Sequence, residues 1–228
     1  MSGFVQPTRL DARPSLAWWD HKYLPLLADV ERTAPMLEVG CGAGELLAYL
    51  RERGFSNVVG IDVSDEQVAV ARGRGVRAEL ADAFEHLRSL DCTQEVILAV
   101  DVLEHHTRDE LMGLAPLLFA ALRPGGRLLV QTANGAGLFP SQVIYGDLTH
   151  VTIFSPQSLA QLLRSAGFSD LAFYETGPIP LRLRGRLDVA LWSAIKLLAS
   201  AVRSIETGKR QAIWTENFIC LARKPLAS

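Results

Sequence analysis

Apolar bursts alternate with amphipathic stretches along most of this 228-residue chain. The bursts have the length of buried strands, and the stretches between them repeat their apolar positions at helical spacing. The strands are predicted at residues 34–39, 57–61, 76–80, 95–100, 127–132, 169–175 and 213–222. Because this alternation is typical of a parallel sheet with crossover helices, it predicts a doubly wound, mostly parallel α/β fold with helices on both faces.

Capping sequences mark where three of the helices begin. A serine or threonine stands at each start, followed by residues that favour a first helical turn. The three starts are Ser64, Thr107 and Ser155. Residues 15–32 are also predicted to be helical, with a kink at Pro25.

The remaining segments include a turn, a long connection and an insertion. Residues 124–126 (Pro-Gly-Gly) predict a turn before the fifth strand. Residues 133–154 lack clear periodicity, and a connection of that length is usually a functional loop. Residues 178–211 form an amphipathic helical insertion between the last two strands. We expect one domain over residues 1–228, with a helical cap at residues 1–33.

A glycine-rich run stands where the first strand meets the following helix. In MLEVGCGAGE, Gly40, Gly42 and Gly44 let the backbone turn sharply and approach a ligand. The first amides of the helix then point at that ligand. The spacing is GxGxG, whereas dinucleotide sites carry GxGxxG. Glu38 precedes the first glycine by two residues, and its carboxylate repels a pyrophosphate but attracts the ammonium of a methionine moiety.

Acidic residues follow three further strands of the predicted sheet. Asp62 follows the second strand, where a carboxylate accepts from both hydroxyls of an adenosine ribose. Asp82 follows the third strand, where it accepts from the exocyclic amine of adenine or caps the next helix. Asp101 follows the fourth strand. Because the carboxyl ends of parallel strands share one edge, these acids predict one adenosine-containing ligand there.

Six segments of the chain resemble the class I methyltransferases, in the broad group that includes ubiquinone-biosynthesis and small-molecule O-methyltransferases. They are LEVGCGAG, VVGIDVS, ELADAFEHL, ILAVDVLEHH, LRPGGRLLVQTAN and HVTIFSPQSLAQLLRSAGF, and their order and spacing match as well. The resemblance implies a Rossmann-like seven-stranded sheet whose last strand is antiparallel. It also implies S-adenosylmethionine as the cofactor and S-adenosylhomocysteine as its product.

The resemblance further implies which residues hold the cofactor. The glycine run lines the methionine and ribose, Asp62 holds the ribose, and Asp82 with Ala83 holds the adenine. The complete expected set is Glu38, Gly40, Cys41, Gly42, Gly44, Asp62, Val63, Asp82, Ala83, Asp101 and Val102.

Histidine suits the role of general base for a hydroxyl acceptor near neutral pH. We expect His150, in the long connection, to be that base, with His106 as the more exposed alternative. A purely structural role for His150 in the loop stays open. Asp101, Glu104 and His105 lie one helical turn apart, and the ubiquinone branch of the resembling group carries a similar acidic set linked to a divalent metal. Because that branch has Glu where this chain has Asp101, we predict no metal site.

The insertion is strongly basic. Residues 182–210 carry seven basic and two acidic side chains, a net charge of +5 in a chain of net charge −2. On a helical wheel, one face is apolar and consists of Leu187, Leu191, Ala194, Leu198, Val202 and Ile205. The favoured interpretation is that the helix packs on the body, or on a second copy in a homodimer, with a solvated basic face. The alternative is contact with an anionic membrane surface or a lipid-linked substrate.

Composition narrows the compartment and the partners. The net charge of −2 gives no reason to expect nucleic acid as a partner. Cys41, Cys92 and Cys220 are scattered without metal-ligand spacing, which favours a reducing, cytoplasmic location. The chain contains no apolar run of the length that spans a membrane.

The sequence therefore predicts O-methylation of a sugar, a glycan or another small-molecule hydroxyl. A phenolic, quinone or natural-product acceptor is the alternative. Two other classes stay open, namely a NAD-dependent oxidoreductase and a non-catalytic module that binds S-adenosylmethionine.

Overall fold

The computed structural model describes residues 16–226, which contain seven strands and eight α-helices. The strands are β1 (Met36–Val39), β2 (Val58–Asp62), β3 (Ala78–Leu80), β4 (Gln94–Val100), β5 (Leu122–Ala133), β6 (Ser169–Glu175) and β7 (Asn217–Arg223). The helices are α1 (Leu16–Lys22), α2 (Glu45–Glu52), α3 (Asp65–Gly73), α4 (Ala83–Ser89), α5 (Arg108–Ala121), α6 (Pro140–Tyr145), α7 (Pro156–Ser165) and α8 (Leu183–Thr207).

All seven strands belong to one sheet, in the order β3-β2-β1-β4-β5-β7-β6. β7 runs antiparallel to both of its neighbours, β5 and β6. The other pairs are parallel. The expected mostly parallel sheet with an antiparallel last strand is therefore confirmed. The strand order reverses between β1 and β4, where the carboxyl ends of such strands open a crevice for ligands.

Alternate side chains of the central strands enter two separate cores. Val96 and Leu98 of β4 belong to the core beneath α2 and α3, whereas Ile97 and Ala99 belong to the core beneath α4, α5 and α7. All four side chains are fully buried. Because helices cover both faces of the sheet, its central strands are apolar throughout, which is why they appear in the sequence as unbroken bursts.

The N-terminal helix is shorter than predicted. In place of one helix over residues 15–32, α1 is followed by a separate 3-10 helix, Leu24–Leu27. The break has a physical cause, because Pro25 lacks the amide hydrogen that a continuous helix would use there. Residues 1–15 of the predicted cap lie outside the described part of the chain.

The predicted turn at residues 124–126 lies inside β5 as an irregularity of the strand, where Gly125 has a φ of +78°. The backbone amide of Gly125 donates to the carbonyl of Lys224 at 3.0 Å, and the Lys224 amide donates to the carbonyl of Gly126 at 2.9 Å. These bonds extend the antiparallel pairing past the end of β7. On the other side of β5, the pairing with β4 shifts its register between Gln94 and Val96.

The insertion forms α8, and its orientation corrects one part of the favoured interpretation, namely that the helix packs its apolar face on the body and leaves its basic face solvated. No residue of α8 is buried, and the apolar face seen on the helical wheel is exposed to solvent. The half-buried side chains include Lys196 and Arg203, so part of the basic face lies toward the body. Across residues 16–226, no helix combines the length and the apolar character that crossing a bilayer requires.

A buried arginine ties the N-terminal segment to the sheet. Arg127 of β5 is 3% exposed, and its guanidinium donates to both carboxylate oxygens of Asp29, at 2.6 and 2.8 Å. It also donates to the carbonyl of Leu26 at 3.0 Å. The hydrogen bonds from Arg127 lower the pKa of Asp29 to about 2. The pair between Arg127 and Asp29 holds the segment after the 3-10 helix against β5.

We predict that Asp29→Asn lowers the free energy of unfolding by about 1 kcal/mol at pH 7, because Arg127 loses a charged bidentate partner. Asp29 itself is largely exposed, which keeps the loss small. The loss should vanish as the pH falls from about 4 toward 2, where Asp29 of the parent is protonated. Urea denaturation at several pH values measures it, with Asp91→Asn on an exposed loop as the control. Equal losses in the two variants would contradict the role of the pair.

Candidate active site

The acidic residues predicted from the strand ends lie along one edge of the sheet. Because β3, β2, β1 and β4 are consecutive neighbours, the chain segments that leave their carboxyl ends are adjacent. Asp82, Asp62, the glycine run after Glu38, and Asp101 therefore follow one another along this edge. The structure brings together the residues that the sequence assigned to one adenosine-containing ligand.

The glycine run turns through three left-handed residues with different surroundings. Gly40, Gly42 and Gly44 have φ of +67°, +50° and +73°. A Cβ on Gly40 would lie 2.5 Å from Cγ2 of Val102, so this glycine lets the loop pack against the segment after β4. A Cβ on Gly42 would meet only a side-chain oxygen 3.9 Å away. The backbone at Gly42 thus faces open space into which a ligand can approach.

Asp62 holds the glycine run in place. Its Oδ2 accepts from the amide of Gly42 at 2.8 Å, and its Oδ1 accepts from the amide of Ser64 at 2.9 Å. The hydroxyl of Ser64 caps α3, so Asp62 is not needed as the cap. Each carboxylate oxygen has a second lone pair left for a ribose hydroxyl. Asp62 can therefore shape the loop and bind a ribose at the same time.

Glu38 is a buried carboxylate without a sufficient set of partners. Its side chain is 4% exposed, and Oε2 has no hydrogen-bond partner among the described residues. Burial, reinforced by the nearby charge of Asp62, raises the pKa of Glu38 well above its ordinary value. A buried oxygen of this kind costs free energy until a donor reaches it. The ammonium group of a methionine moiety is such a donor, so the site fits S-adenosylmethionine.

The adenine end of the expected site is more open. Asp82 caps α4, since its Oδ1 accepts from the amides of Phe84 and Glu85 at 2.9 and 3.1 Å. Asp82 therefore does cap the helix, which was one of its two predicted roles. Its Oδ2 makes no contact with these amides. Val63, beside Asp62, is 72% exposed, which leaves apolar surface for an adenine ring. The assignment of Asp82, Ala83 and Val63 to the nucleoside stays a prediction.

A hydrogen-bonded chain that the sequence analysis missed positions Asp101. The hydroxyl of Tyr23 donates to Oε1 of Gln131 at 2.8 Å, and Nε2 of Gln131 donates to Oδ1 of Asp101 at 3.1 Å. Tyr23 is fully buried, and Asp101 has a φ of +53°, which is rare outside glycine. The signal in the sequence was the polar pair Gln131–Thr132, which interrupts an otherwise apolar strand end.

The segment after β4 and the long connection are fastened to each other. The amides of Val151 and Thr152 both donate to the carbonyl of Glu104, at 2.9 and 3.0 Å. Nδ1 of His105 lies 3.2 Å from the carbonyl of Thr149. These contacts hold the part of the connection that carries His150 beside the carboxyl end of β4. His105 thus helps to order the loop.

Glu104 is a second buried carboxylate at this junction. It is 1% exposed and accepts from the hydroxyl of Thr132 at 2.9 Å. Burial, followed by the charge of Asp101, raises the pKa of Glu104 to about 7. Within residues 16–226, no group of three or more His, Cys, Asp or Glu side chains is arranged to hold a metal ion.

Both candidate histidines have a defined tautomer. Nδ1 of His150 lies 2.9 Å from the carbonyl of Val143, and Nδ1 of His106 lies 3.1 Å from the carbonyl of Val102. A carbonyl oxygen only accepts, so Nδ1 carries the proton in each ring and the lone pair is on Nε2. Nε2 of His150 also lies 3.9 Å from Oδ2 of Asp147, close enough for that carboxylate to stabilise an imidazolium. Either histidine can therefore accept a proton at Nε2.

Two residues have structural surroundings that define their roles. Asn134, at the start of the connection, is fully buried, and its amide group binds the carbonyl of Thr215 and the amide of Ala136. It closes the start of the loop and cannot reach an acceptor. Burial raises the pKa of the Cys41 thiol to about 12. Cys41 therefore lines the loop as a neutral thiol.

The chain resembles known proteins over most of its length. A family model described as a methyltransferase domain matches residues 13–172. A ubiquinone biosynthesis O-methyltransferase of Hydrogenovibrio crunogenus is 26% identical over 225 residues, which cover 81% of this chain and 91% of the relative.

Solved structures share the fold. A SAM-dependent methyltransferase from Archaeoglobus fulgidus matches with a TM-score of 0.69 and 20% identity, over 92% of each chain. Haemonchus contortus phosphoethanolamine N-methyltransferase 2, solved in complex with S-adenosyl-L-methionine, matches with a TM-score of 0.60 and 18% identity. This match covers 91% of the present chain and 53% of the other.

We predict that Glu38→Gln weakens binding of S-adenosylhomocysteine at least about ten-fold, because an amide replaces the carboxylate that faces the ammonium. The same variant should unfold at a higher temperature without ligand, by an amount that grows as the pH rises above about 4.5, because the folded parent holds a proton on Glu38 that the unfolded chain releases. Calorimetry and thermal unfolding measure the two effects. Glu66→Gln, an exposed carboxyl on α3, is the control and should change neither. Unchanged affinity in Glu38→Gln would remove Glu38 from the site.

A second prediction concerns the raised pKa of Glu104. Between about pH 4.5 and 7 the folded state holds a proton that the unfolded state releases, so stability falls as pH rises, by up to about 3 kcal/mol. Glu104→Gln keeps an acceptor for Thr132 but cannot ionise. Its free energy of unfolding, relative to that of the parent, should therefore rise between about pH 4.5 and 7. Denaturation at pH 5, 6, 7 and 8 measures this difference. Parallel pH profiles for the two proteins would contradict it.

Proposed function

Because this chain belongs to the methyltransferase domain family, it is an S-adenosylmethionine-dependent methyltransferase, and we propose that its acceptor atom is a hydroxyl oxygen of a small molecule. The observation that carries the proposal is the state of His150. Its ring is held with the lone pair on Nε2, in a loop fastened to the carboxyl edge of the sheet where the cofactor residues lie.

The residues present fit the cofactor at both of its polar ends. Glu38 offers an unpaired, buried carboxylate oxygen to an ammonium, and Asp62 offers the remaining lone pairs of its carboxylate to ribose hydroxyls. Gly42 leaves open space between them. When bound, the cofactor supplies a methyl group activated by a positively charged sulfur. The task left to the protein is to orient the acceptor, exclude water and remove one proton.

His150 is suited to remove that proton. Its Nε2 accepts the hydrogen of the acceptor hydroxyl, and Asp147 stabilises the imidazolium that results. Thr149 keeps Asp147 in place, since its backbone amide and its hydroxyl both donate to Oδ1 of that carboxylate, at 2.8 and 2.6 Å. A histidine whose Nδ1–H is held by a carbonyl presents its Nε2 lone pair in a fixed direction, as a general base requires.

His106 is the second candidate for the base. Its Nδ1 is bound to the carbonyl of Val102, and its ring lies 6.0 Å from the ring of Phe84 at the start of α4. The ring therefore lies beside the helix that begins at the expected adenine end, while the His106 carbonyl accepts from the hydroxyl of Thr152 in the connection at 2.8 Å. We therefore assign the acceptor proton to His150 first.

A sugar or glycan hydroxyl is the acceptor we place first. Ser141, Gln142 and Tyr145 surround a shallow open depression on the long connection, and the ring of Tyr145 is 79% exposed. An aromatic face beside hydroxyl and amide groups suits a sugar, which presents both C–H surface and hydroxyls. These side chains belong to α6 and the residues beside it.

A phenolic or quinone-precursor acceptor is the second candidate. The relative that aligns over 91% of its length is named a ubiquinone biosynthesis O-methyltransferase. Phe139, Leu148 and Val151 of the connection are more than half exposed and offer apolar surface to an aromatic ring. The two acceptor classes differ in which side chains of the same loop they use.

The compartment forms part of the proposal. Cys41, Cys92 and Cys220 are all free thiols, which supports a reducing, cytoplasmic location. We expect small molecules or glycans as partners and no nucleic acid.

The function is tested with an acceptor panel and S-adenosylmethionine carrying a labelled methyl group. Sugars and glycans form one arm, phenols and hydroquinones the second, and primary amines the third. The proposal expects label on an oxygen, first in the sugar arm. Label on nitrogen would overturn the oxygen assignment, and label confined to the phenol arm would replace sugar by the second candidate.

With an acceptor found, we predict that His150→Ala lowers kcat by about 10²- to 10⁴-fold, the usual range for losing a general base. Affinity for S-adenosylhomocysteine should stay within about two-fold of the parent, because His150 does not touch the cofactor residues. His86→Ala is the matched control, since His86 lines a cavity with Pro35 and Asn57 at the opposite, amino-terminal edge of the sheet. A full kcat in His150→Ala together with a loss in His106→Ala would move the base to His106.

A further inference from the structure

α8 contacts the body through only one of its faces. Val189, Trp192, Lys196, Ser200 and Arg203 recur every three or four residues and are half-buried. The indole of Trp192 donates to Oε2 of Glu175 at 3.4 Å, the ammonium of Lys196 pairs with the same carboxylate, and the indole of Trp214 donates to the hydroxyl of Ser200 at 3.0 Å. Polar and charged contacts thus fix how the helix is turned.

The opposite face of α8 is apolar and exposed. We call it the outer face, and it consists of Leu183, Leu187, Leu191, Leu198, Val202 and Ile205, each more than half exposed. The helix has 25 residues and is therefore about 37 Å long. An apolar stripe of this length on the surface of a monomer is unusual and indicates an interaction site.

Basic side chains stand at both ends of the outer face. Arg182, Arg184 and Arg186 lie at the start of α8, and Lys209 and Arg210 follow its end. Residues 182–210 carry +5, and the rest of the chain carries −7. The molecule is therefore electrically polarised, and a negatively charged surface attracts this helix while it repels the remainder.

We propose that the outer face of α8 docks on an anionic lipid surface. The helix lies in the plane of the surface, with its leucines at the boundary between headgroups and acyl chains and its terminal arginines and lysine against the headgroups. A long apolar face with basic flanks is the pattern of helices that bind in this way.

Charge argues against a second copy of the chain as the occupant. Two copies that pair through their outer faces bring two segments of +5 together. Each segment contributes only Asp188 and Glu206 to offset seven basic groups. Anionic headgroups offset the charge of the five exposed basic groups at the two ends of α8, so the lipid surface is the better match.

The segment after α8 connects the docking helix to the acceptor loop. The side-chain amide of Gln211 donates to the carbonyl of Ala136, and the amide of Leu138 donates to the carbonyl of Trp214 at 3.1 Å. A helix fixed on a membrane therefore holds the start of the connection 133–154 close to it. The docking itself does not depend on the proposed reaction.

The test is flotation of the full chain with vesicles of phosphatidylcholine, with and without about one third phosphatidylglycerol. The variant Leu187→Glu/Leu198→Glu places two charges on the outer face. Val70→Glu/Met112→Glu places two charges at exposed apolar positions on α3 and α5 and is the matched control. Affinity for S-adenosylhomocysteine is measured for every protein, so that loss of folding or of the cofactor site is seen separately.

We expect the parent and the control to bind the anionic vesicles at least about ten-fold more strongly than the neutral ones, and high salt to weaken this binding. The outer-face variant should lose it, while S-adenosylhomocysteine binding stays unchanged in all three proteins. Failure of the parent to float, or equal binding by both variants, would overturn the proposal. A dimer in light scattering that only Leu187→Glu/Leu198→Glu dissociates would overturn it too, because a second copy would then cover the outer face.

Discussion

A carboxylate enclosed by protein needs a positive partner, and in this structure that need falls on Glu38. Its Oε2 is buried and unpaired near the end of the first strand, and Glu38 lies two residues before the backbone begins its turn at Gly40. Removing a charge from water without a partner is costly, and a bound ammonium offsets the cost. The rest of the site keeps that partner in reach: Asp62 holds the glycine run from one side, and Gly40 packs it on Val102 from the other.

The acceptor side is built by a second set of tethers. The long connection is hydrogen-bonded to the segment after β4 through Glu104, His105 and Thr152. These bonds fix the position of His150 relative to the carboxyl edge of the sheet. The buried acids Glu38 and Glu104 and the left-handed backbone of Asp101 make the carboxyl edge of the sheet locally unfavourable. The two cores of apolar strands and helices supply the stability that allows it. The protein thus concentrates its backbone strain and its buried acidic groups where ligands are expected to bind.

The sheet, and the edge of it that carries the cofactor residues, could be predicted from the sequence because each depends on local signals. Apolar bursts located the strands, and a glycine run with acids at successive strand ends located one edge. The polar pair Gln131–Thr132 indicated a buried polar contact, but the partner of Gln131 could not be predicted, because Tyr23 lies 108 positions away and meets it only through side chains. The orientation of α8 was also missed. Amphipathic periodicity shows that a helix has an apolar face, but contacts of Trp192 and Lys196 with Glu175 decided which face meets the body.

The position of the cofactor's ammonium group is the central claim about this site. A crystal structure with S-adenosylhomocysteine measures this directly. We predict that the ammonium lies within hydrogen-bond distance of Oε2 of Glu38, with the ribose hydroxyls on Asp62. A nucleoside bound away from these two carboxylates, or a Glu38 side chain that stays unpaired in the complex, would contradict the account.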